Sequence, residues 1–355
     1  MDRLKLLDAF NSVNKALRGT GNLNIKAKDK KMEVSGCSQH LSIWYRLDTD
    51  ADDMEIAVKA ATAIAAVTKI PGDNVTLSLT KTGLCIAGNN SRVILPLLEY
   101  KENSRSEKYE SKVKTTGLVP YVAQVIHALD DTGYNPMMSA IHLQVYDDGG
   151  FQLTALDGKR YSIRNTKSKE SSLVSDFVIY GKELNEALRL LGSDEVIIYR
   201  PESGNFIRLV GEDKTGDNLE IQIAMLDGKY FNLDSLRSEV FPIRLVANRE
   251  TMLNAVTLVQ LVSKKTLVDI SPTEICFTGH ETDGETESRI PIRSKGLDQD
   301  NNCIQTAFMC TQLIDALKSI EAENVTIHMK SSMNQFCITE GHHAIEMVLP
   351  IRREK

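Results

Sequence analysis

Little in this 355-residue chain advertises chemistry. Its six cysteines (Cys37, Cys85, Cys276, Cys303, Cys310 and Cys337) include no CxxC pair. That excludes a zinc ribbon and a thioredoxin-like redox motif, and the thiols read as small apolar residues of the interior. There is no GxxxxGK[ST] loop, and the glycines at Gly149 and Gly150 sit in a hairpin turn rather than between a strand and a helix. A GxSxG elbow, an HExxH helix and EF-hand spacing are all missing, and the seven histidines do not fall at metal-ligand intervals. His342 and His343 read as solvated turn residues, and the pairs Asp130–Asp131 and Asp147–Asp148 follow helix ends or turns, where carboxylates serve local hydrogen bonding. No cofactor, metal or catalytic site is expected. Nor does any apolar run approach the roughly 18 to 20 residues that a membrane span needs. Met1 is followed by Asp2 and Arg3 rather than by a signal core, so the chain is expected to be cytoplasmic, with no membrane partner.

What is present is ordinary for a folded protein: 42% hydrophobic residues, 25% charged residues, 21 Gly and 9 Pro. The length corresponds to two or three average domains. The formal charge of -6 speaks against a nucleic-acid partner unless the basic residues gather on one surface.

The most informative feature is a repeat. Met54 to Leu79, Phe177 to Arg200 and Phe308 to Met329 share one grammar, an amphipathic helix, a tight turn and a β-rich strand. With Val75, Val196 and Val325 as equivalent anchors, the spacings are 121 and 129 residues, so the chain divides into thirds. Each third opens with a second helical pattern, at Leu4 to Arg18, Leu118 to Asp131 and Arg249 to Val262. In the first of these, Leu7, Phe10, Val13 and Leu17 make one apolar face. Short alternating stretches such as Ile141 to Tyr146 and Ala344 to Leu349 supply strands. The fold class is therefore α+β: two helices on antiparallel sheet, three times over. Lys101 to Lys112 reads as a solvated connector, and Ser238 to Pro242 as the second junction. The expected domains are 1–112, 113–241 and 242–355.

Two local sequences stand out, TALDGKRYSIR from Thr154 and MLDGKYFNL from Met225, together with a C-terminus reading MVLPIR. Asp-Gly alone is a turn signal. The three elements in this order resemble the bacterial sliding clamp family, the β subunit of DNA polymerase III. The family's ATDGHRL-like corner is matched by Ala155 to Tyr161, its DGRFP-like element by Asp227 to Tyr230, and its VVMPMR-like tail by Met347 to Arg352. The resemblance spans the whole chain, repeat register included.

The resemblance implies a non-enzymatic processivity factor, a head-to-tail homodimer whose six domains close into a ring around double-stranded DNA. In such a ring the helices line the hole and the sheets form the outer wall. A heterologous contact that closes after two copies gives a ring rather than a filament; the sequence alone leaves a trimer open. Topological retention needs only weak, sequence-independent attraction to phosphate. Taken as Leu4 to Arg18, Ile56 to Lys69, Leu118 to Asp131, Gly181 to Gly192, Arg249 to Lys265 and Met309 to Glu321, the six predicted helices carry a net +3, and the rest of the chain −9. The candidates for facing DNA are Lys15, Arg18, Lys59, Lys69, Lys182, Arg189, Lys264, Lys265 and Lys318. Loading would fall to an ATP-dependent clamp loader, since the chain has no nucleotide motif.

The family also implies a groove where the polymerase and other replication or repair proteins insert a short hydrophobic peptide. Its wall would comprise Met138, Leu156, Gly158, Arg160, Tyr161, Phe231, Leu236, Met333, Gln335, Met347, Val348, Leu349, Pro350 and Ile351. Phe231 stands where the family usually has Pro, Met309 and Gln312 replace polar and aromatic groove residues, and Arg353 to Lys355 extend past the usual end. These departures fit a clamp for a divergent polymerase, such as that of a phage or mobile element. The subunit seam would bring Val93 and Leu95 against Leu261 and Val262 of the other copy, with Arg92 facing Glu281, Asp283, Glu285 and Glu287. Two other readings remain, a clamp-fold scaffold that recruits partners without encircling DNA and, at low weight, an enzyme using the Asp157 and Arg160 corner.

Overall fold

The computed structural model describes residues 1–355 apart from 20, 104, 106–107, 212–217, 234–239, 282–283, 298–302 and 353–355. Among the described residues there are six α-helices: α1 (Arg3–Leu17), α2 (Ala60–Lys69), α3 (Leu118–Val125), α4 (Gly181–Leu191), α5 (Arg249–Gln260) and α6 (Cys310–Lys318). Helix α1 starts where Asp2 accepts from the Leu4 and Lys5 amides at 2.8 and 3.0 Å, satisfying two of the first-turn donors. It buries Leu6, Phe10, Val13 and Leu17 along one stripe and stops at Arg18 in the left-handed conformation. Helix α5 repeats the device, with Asn248 accepting from the Thr251 amide at 2.9 Å and Met252, Val256 and Val259 buried.

The strands fall into the same thirds. The first holds β1 (Asn22–Lys28), β2 (Lys31–Cys37), β3 (Leu41–Asp48), β4 (Met54–Lys59), β5 (Thr76–Leu79), β6 (Leu84–Gly88) and β7 (Ser91–Leu95). The second holds β8 (Tyr109–Thr116), β9 (Ala140–Tyr146), β10 (Phe151–Leu156), β11 (Arg160–Asn165), β12 (Leu173–Tyr180), β13 (Glu195–Pro201), β14 (Phe206–Gly211) and β15 (Asn218–Ala224). The last holds β16 (Ile243–Asn248), β17 (Lys265–Ile270), β18 (Glu274–Glu281), β19 (Gly284–Pro291), β20 (Arg293–Lys295), β21 (Ile304–Met309), β22 (Asn324–Met329), β23 (Phe336–Glu340) and β24 (Ala344–Val348).

Three backbone hydrogen bonds display the repeat directly. The amides of Arg3, Gly117 and Arg249 donate to the carbonyls of Asp73, Asp194 and Glu323 at 2.8, 2.9 and 2.8 Å. These acceptors keep the 121- and 129-residue spacing of the valine anchors. In the first third the opening strand shrinks to the bridge between Asp2 and Asn74. Arg3 and Arg249 are equivalent again through their side chains, donating from Nε to Gly72 O at 2.8 Å and to Ala322 O at 3.0 Å.

The chain forms two compact units. The first comprises Met1–Val119 with Lys182–Asp227. Its eight-stranded antiparallel sheet runs β4-β1-β2-β3-β15-β14-β13-β8, so a strand from the second third extends the sheet of the first. The seam pairs Ile221 with Ile43 and Ile223 with Leu41. A smaller sheet, β5-β6-β7, ends in β7. The second unit comprises Pro120–Gly181 with Gly228–Lys355. Its nine-stranded sheet runs β12-β9-β10-β11-β24-β23-β22-β16-β20, with Tyr161 paired to Met347 at the seam. A four-stranded sheet, β19-β18-β17-β21, ends in β19, while the amide of Ile351 donates to Ala307 O along β21. The interior here packs α5 and α6 through Met252, Val256, Leu313 and Leu317 onto Phe277, Phe308 and Phe336.

Several boundaries differ from expectation. Ile56 to Lys59 belong to β4, whose ladder with β1 pairs Ile56 with Ile25, Val58 with Leu23 and Lys59 with Asn22. Helix α3 stops at Val125 and continues only as the 3-10 turn Ile126–Ala128. Helix α5 ends at Gln260, so Lys264 lies in a turn and Lys265 opens β17. The Lys101 to Lys112 connector is not wholly solvated. Tyr109 to Lys112 form part of β8, and Arg105 lies over the Trp44 ring at 4.8 Å, with ion pairs to Glu33 at 3.0 Å and Glu220 at 3.2 Å. Four of the cysteines are buried, as expected, while Cys37 and Cys303 are exposed. Burial raises the Cys310 thiol to about 11 and, helped by the Glu346 charge, raises the Cys337 thiol to about 12.

Candidate functional site

The Asp-Gly-Lys corner of the second unit is a tight turn joining β10 to β11. Asp157 accepts from the Lys159 and Arg160 amides at 2.8 and 2.9 Å through Oδ1, which closes the turn. Gly158 has φ +83°, where a side chain would be strained, and a Cβ there would lie 3.5 Å from Met138 Cε. The Arg160 guanidinium then donates to Asp157 Oδ2 at 3.0 Å and to Asp315 Oδ2, on α6, at 2.8 Å. Asp157 and Arg160 are thus joined in a structural fork.

Side chains of the two seam strands separate by face. On one face Leu156, Tyr161, Ile163 and Met347 form a buried apolar cluster, with Met138, Tyr230, Leu233 and Ile345 packed against it. The amide of Leu349 donates to Lys159 O at 2.9 Å and so continues the β11–β24 pairing past the strand end. Leu349 remains 36% exposed and Phe231, packed edge-on against Tyr230, 37%, which leaves apolar surface beside a buried floor; Met333 is 74% exposed in the turn before β23. Pro350 and Ile351 are half-buried. Of the other expected wall residues, Val348 packs into the interior of the last third and Gln335 is 5% exposed. Leu236 lies outside the described residues.

The other face of the seam carries a buried polar network. Arg164 and Glu346 are each 1% exposed and pair at 2.8 Å. Arg164 also donates to Gln124 Oε1 and Ser319 O, both at 2.8 Å. Ser162 and Ser319 donate to Glu346 Oε1 at 2.7 and 2.8 Å, and His127 lies 3.2 Å from Glu346 Oε2. Burial works to raise the Glu346 carboxyl, but His127, Arg164 and Ser162 together hold it below the usual carboxylate range. This network was not legible in the sequence, where Arg164 and Glu346 read as alternating strand residues 182 positions apart.

The candidate basic residues are mostly exposed, but they are not equally available. Lys15 pairs with Glu186 at 3.4 Å and Arg18 with Glu183, both acidic partners lying on α4 in the same unit. Lys182 and Arg189 project from α4, Lys59 precedes α2 and Lys69 closes it. In the other unit Lys318 occupies the last turn of α6.

The expected seam residues sit on one sheet edge and in the turn that ends a helix. Arg92 and Val93 lie on β7, Arg92 exposed and Val93 half-buried; Leu95 is buried, and Ile94 between them is 40% exposed. In the other unit Leu261 is 79% exposed at the end of α5 and Val262 half-buried. The nearby edge strand β19 presents Glu285 and Glu287. Glu281 accepts from Ser263 at 3.2 Å, and Asp283 lies outside the described residues.

No protein-family model matches the chain. Curated relatives do. The Staphylococcus epidermidis beta sliding clamp is 23% identical over 358 residues, covering 93% of this chain and 91% of the relative. The Lactococcus lactis beta sliding clamp is 22% identical over 361 residues, with the same coverage. Among solved structures, a putative DNA polymerase III beta subunit from Eubacterium rectale superposes with a TM-score of 0.88 at 21% identity, covering 99% of this chain and 98% of that one. The DNA polymerase III subunit beta of Pseudomonas aeruginosa gives 0.88 at 16% identity over 99% of both chains. The Bacillus subtilis DNA polymerase sliding clamp gives 0.85 at 19% identity, over 100% of this chain and 98% of that one. The fold is that of the DNA clamp, with three similar α+β domains.

Proposed function

We propose that this chain, a divergent relative of the bacterial β sliding clamps over nearly its whole length, is itself a DNA sliding clamp. Two copies join head to tail, encircle double-stranded DNA without reading its sequence, and tether the replicative polymerase. The clamp domains divide near residues 108 and 241, the first boundary falling before β8 (Tyr109–Thr116) rather than at the expected Lys112 inside that strand. The observation that carries the reading is the sheet continuity within each unit: each large sheet joins strands from successive thirds. The same continuation between β7 of one copy and β19 of the next would close the ring. Arg92 on one edge and Glu285 on the other supply opposite charge for that contact, while Glu287 is already paired with Arg289 at 2.8 Å.

The apolar cluster beside the Asp157 corner is the docking groove for short hydrophobic peptides of the polymerase, the clamp loader and repair proteins. A buried floor of Leu156, Tyr161 and Met347 with exposed Leu349 and Phe231 at its rim offers an anchor pocket, and methionine walls tolerate several partners. The chain acts without catalysis of its own: the Asp157 and Arg160 pair is spent on the turn and on Asp315. Loading falls to an ATP-driven partner. A replication factor of this kind works in the cytoplasm; among the described residues no helix is long and apolar enough to cross a membrane.

The ion pairs of Lys15 and Arg18 favour one rival, a clamp-fold scaffold that binds partners without holding DNA, because they neutralise part of the basic lining. The experiment that separates them is primer extension on a singly primed circle with the polymerase and loader of the same organism. A clamp lengthens the products synthesised per binding event when loader and ATP are present; a scaffold leaves product length unchanged.

A further inference from the structure

In the first unit, helices α1 and α4 meet through two ion pairs, Lys15 with Glu186 at 3.4 Å and Arg18 with Glu183. Glu183 and Glu186 are one helical turn apart and share a face of α4, opposite Lys15 and the Arg18 cap of α1. The helix ends reinforce the ladder. Lys15 lies in the last turn of α1 and Glu183 in the first turn of α4, where each charge complements the helix dipole. Helices α3 and α6, the counterparts one third further along, are joined differently. Helix α3 carries no charged residue, and its Gln124 donates to Glu321, just past α6, at 2.9 Å.

The two sides of the ladder differ in exposure. The Arg18 side chain is 71% exposed against 10% for Glu183, and Lys15 is likewise the more open partner of its pair. The carboxylates therefore reach the cations from the sheltered side, and the outward side of each cation stays open to solvent. A cavity of about 470 Å³ lies beside the ladder, bounded by Asn14, Lys15, Arg18, Lys182, Glu183 and Glu186. Three cations and two carboxylates thus surround a space many times the roughly 30 Å³ of a water molecule, with room for a phosphate group.

We propose that Glu183 and Glu186 set the affinity of the DNA lining from within: their carboxylates hold Lys15 and Arg18 in the absence of DNA and give them up to backbone phosphates when a duplex lies against α1 and α4. The inference rests on the DNA-lining reading of Lys15 and Arg18 given above. DNA contact at this place is then an exchange of one anion for another rather than a net gain of ion pairs. A cation already neutralised by a carboxylate releases few counterions when a phosphate replaces it, so affinity and its salt dependence are both held down. Exposed ion pairs exchange readily, because water and salt screen them. For a ring that keeps DNA by topology, the result is a lining that touches the duplex without gripping it.

The test follows association of a fluorescently labelled duplex by anisotropy across a salt series. The full chain is compared with Glu186→Gln, with Glu183→Gln plus Glu186→Gln, with Lys15→Gln plus Arg18→Gln, and with all four substitutions together, each checked by an unfolding curve. Removing both carboxylates tightens duplex binding about tenfold at low salt and steepens the salt slope by about 1.8, one phosphate contact for each freed cation. The gain disappears when Lys15→Gln and Arg18→Gln are added, because no cation is left to free. Glu186→Gln alone steepens the slope by about 0.9, which decides the matter even if Glu183→Gln fails to fold. A gain of equal size with and without Lys15 and Arg18 overturns the proposal, since the carboxylates then act only through net charge. No gain in either background overturns it too, and leaves the DNA lining standing if Lys69→Gln and Lys318→Gln still lower the slope. A slope that no basic substitution alters overturns the lining itself.

Discussion

Arg160 Nη1 lies 2.8 Å from Asp315 Oδ2, so a residue from the turn after β10 is tied to helix α6 of the last third. The same guanidinium holds Asp157 at 3.0 Å, and the planar fork of an arginine makes both contacts at once. Arg160 is largely sheltered while Asp315 is partly open, so the pair sits between a surface ion pair and a buried one. Arg160→Ala is expected to lower stability by about 1–2 kcal/mol. Arg160→Lys should recover less than half of that, because an ammonium cannot satisfy both carboxylates in the same geometry. Urea unfolding of the three proteins measures the difference.

The buried network around Glu346 predicts a sharper effect. Glu346→Gln leaves Arg164 buried without its counter-charge and should cost about 3–5 kcal/mol. It also sets a pH dependence whose sign is fixed. The Glu346 carboxyl is held below its ordinary value of 4.5 in the folded chain, so the unfolded chain takes up the proton first on acidification. The stabilisation is fully present above about pH 4.5 and is lost as pH falls through the lower folded value. Urea midpoints followed from pH 7 to pH 3 should fall steeply for the wild-type chain and less steeply for Glu346→Gln.

The seam can be broken without touching the fold. Leu261 is 79% exposed, so Leu261→Asp should leave the melting temperature of an isolated subunit nearly unchanged. In the proposed ring it would set a charge against the β7 edge of the next copy, and the protein should sediment as a monomer. Arg92→Glu should act in the same direction more weakly, by setting a like charge against Glu285, and raising the salt concentration should relieve it.

The basic residues divide by whether they are already paired. Lys69→Gln and Lys318→Gln each remove an exposed cation and should each lower the salt slope of duplex association by about 0.9. Lys15→Gln should change the slope less, since its ammonium already faces Glu186 at 3.4 Å. Fluorescence anisotropy of a labelled duplex across a salt series reads all three.

The sequence conveyed some of this plainly and some not at all. The repeat was legible because Val75, Val196 and Val325 follow helices of one pattern, and the bonds to Asp73, Asp194 and Glu323 fall in that register. Helices α1 and α4 were legible within a residue or so from their apolar stripes. The end of β4 was read as helix because Ile56 to Lys59 run directly into α2 without a capping side chain. The corner motif revealed the turn but not its purpose, since Asp315 comes from 155 residues further on. Arg105 read as solvated because its partners, Trp44, Glu33 and Glu220, are assembled only by the sheet. Patterns along a chain report faces and turns; ion pairs between distant strands require the register of the fold.

The central claim is topological, and one measurement addresses it directly. The protein is loaded onto nicked circular plasmid with a clamp loader and ATP, and its retention is followed by gel filtration before and after the plasmid is cut once. The account predicts a dimer that stays with the circle and leaves when the DNA acquires ends. Retention that is indifferent to linearisation, or no retention despite active loading, would contradict it.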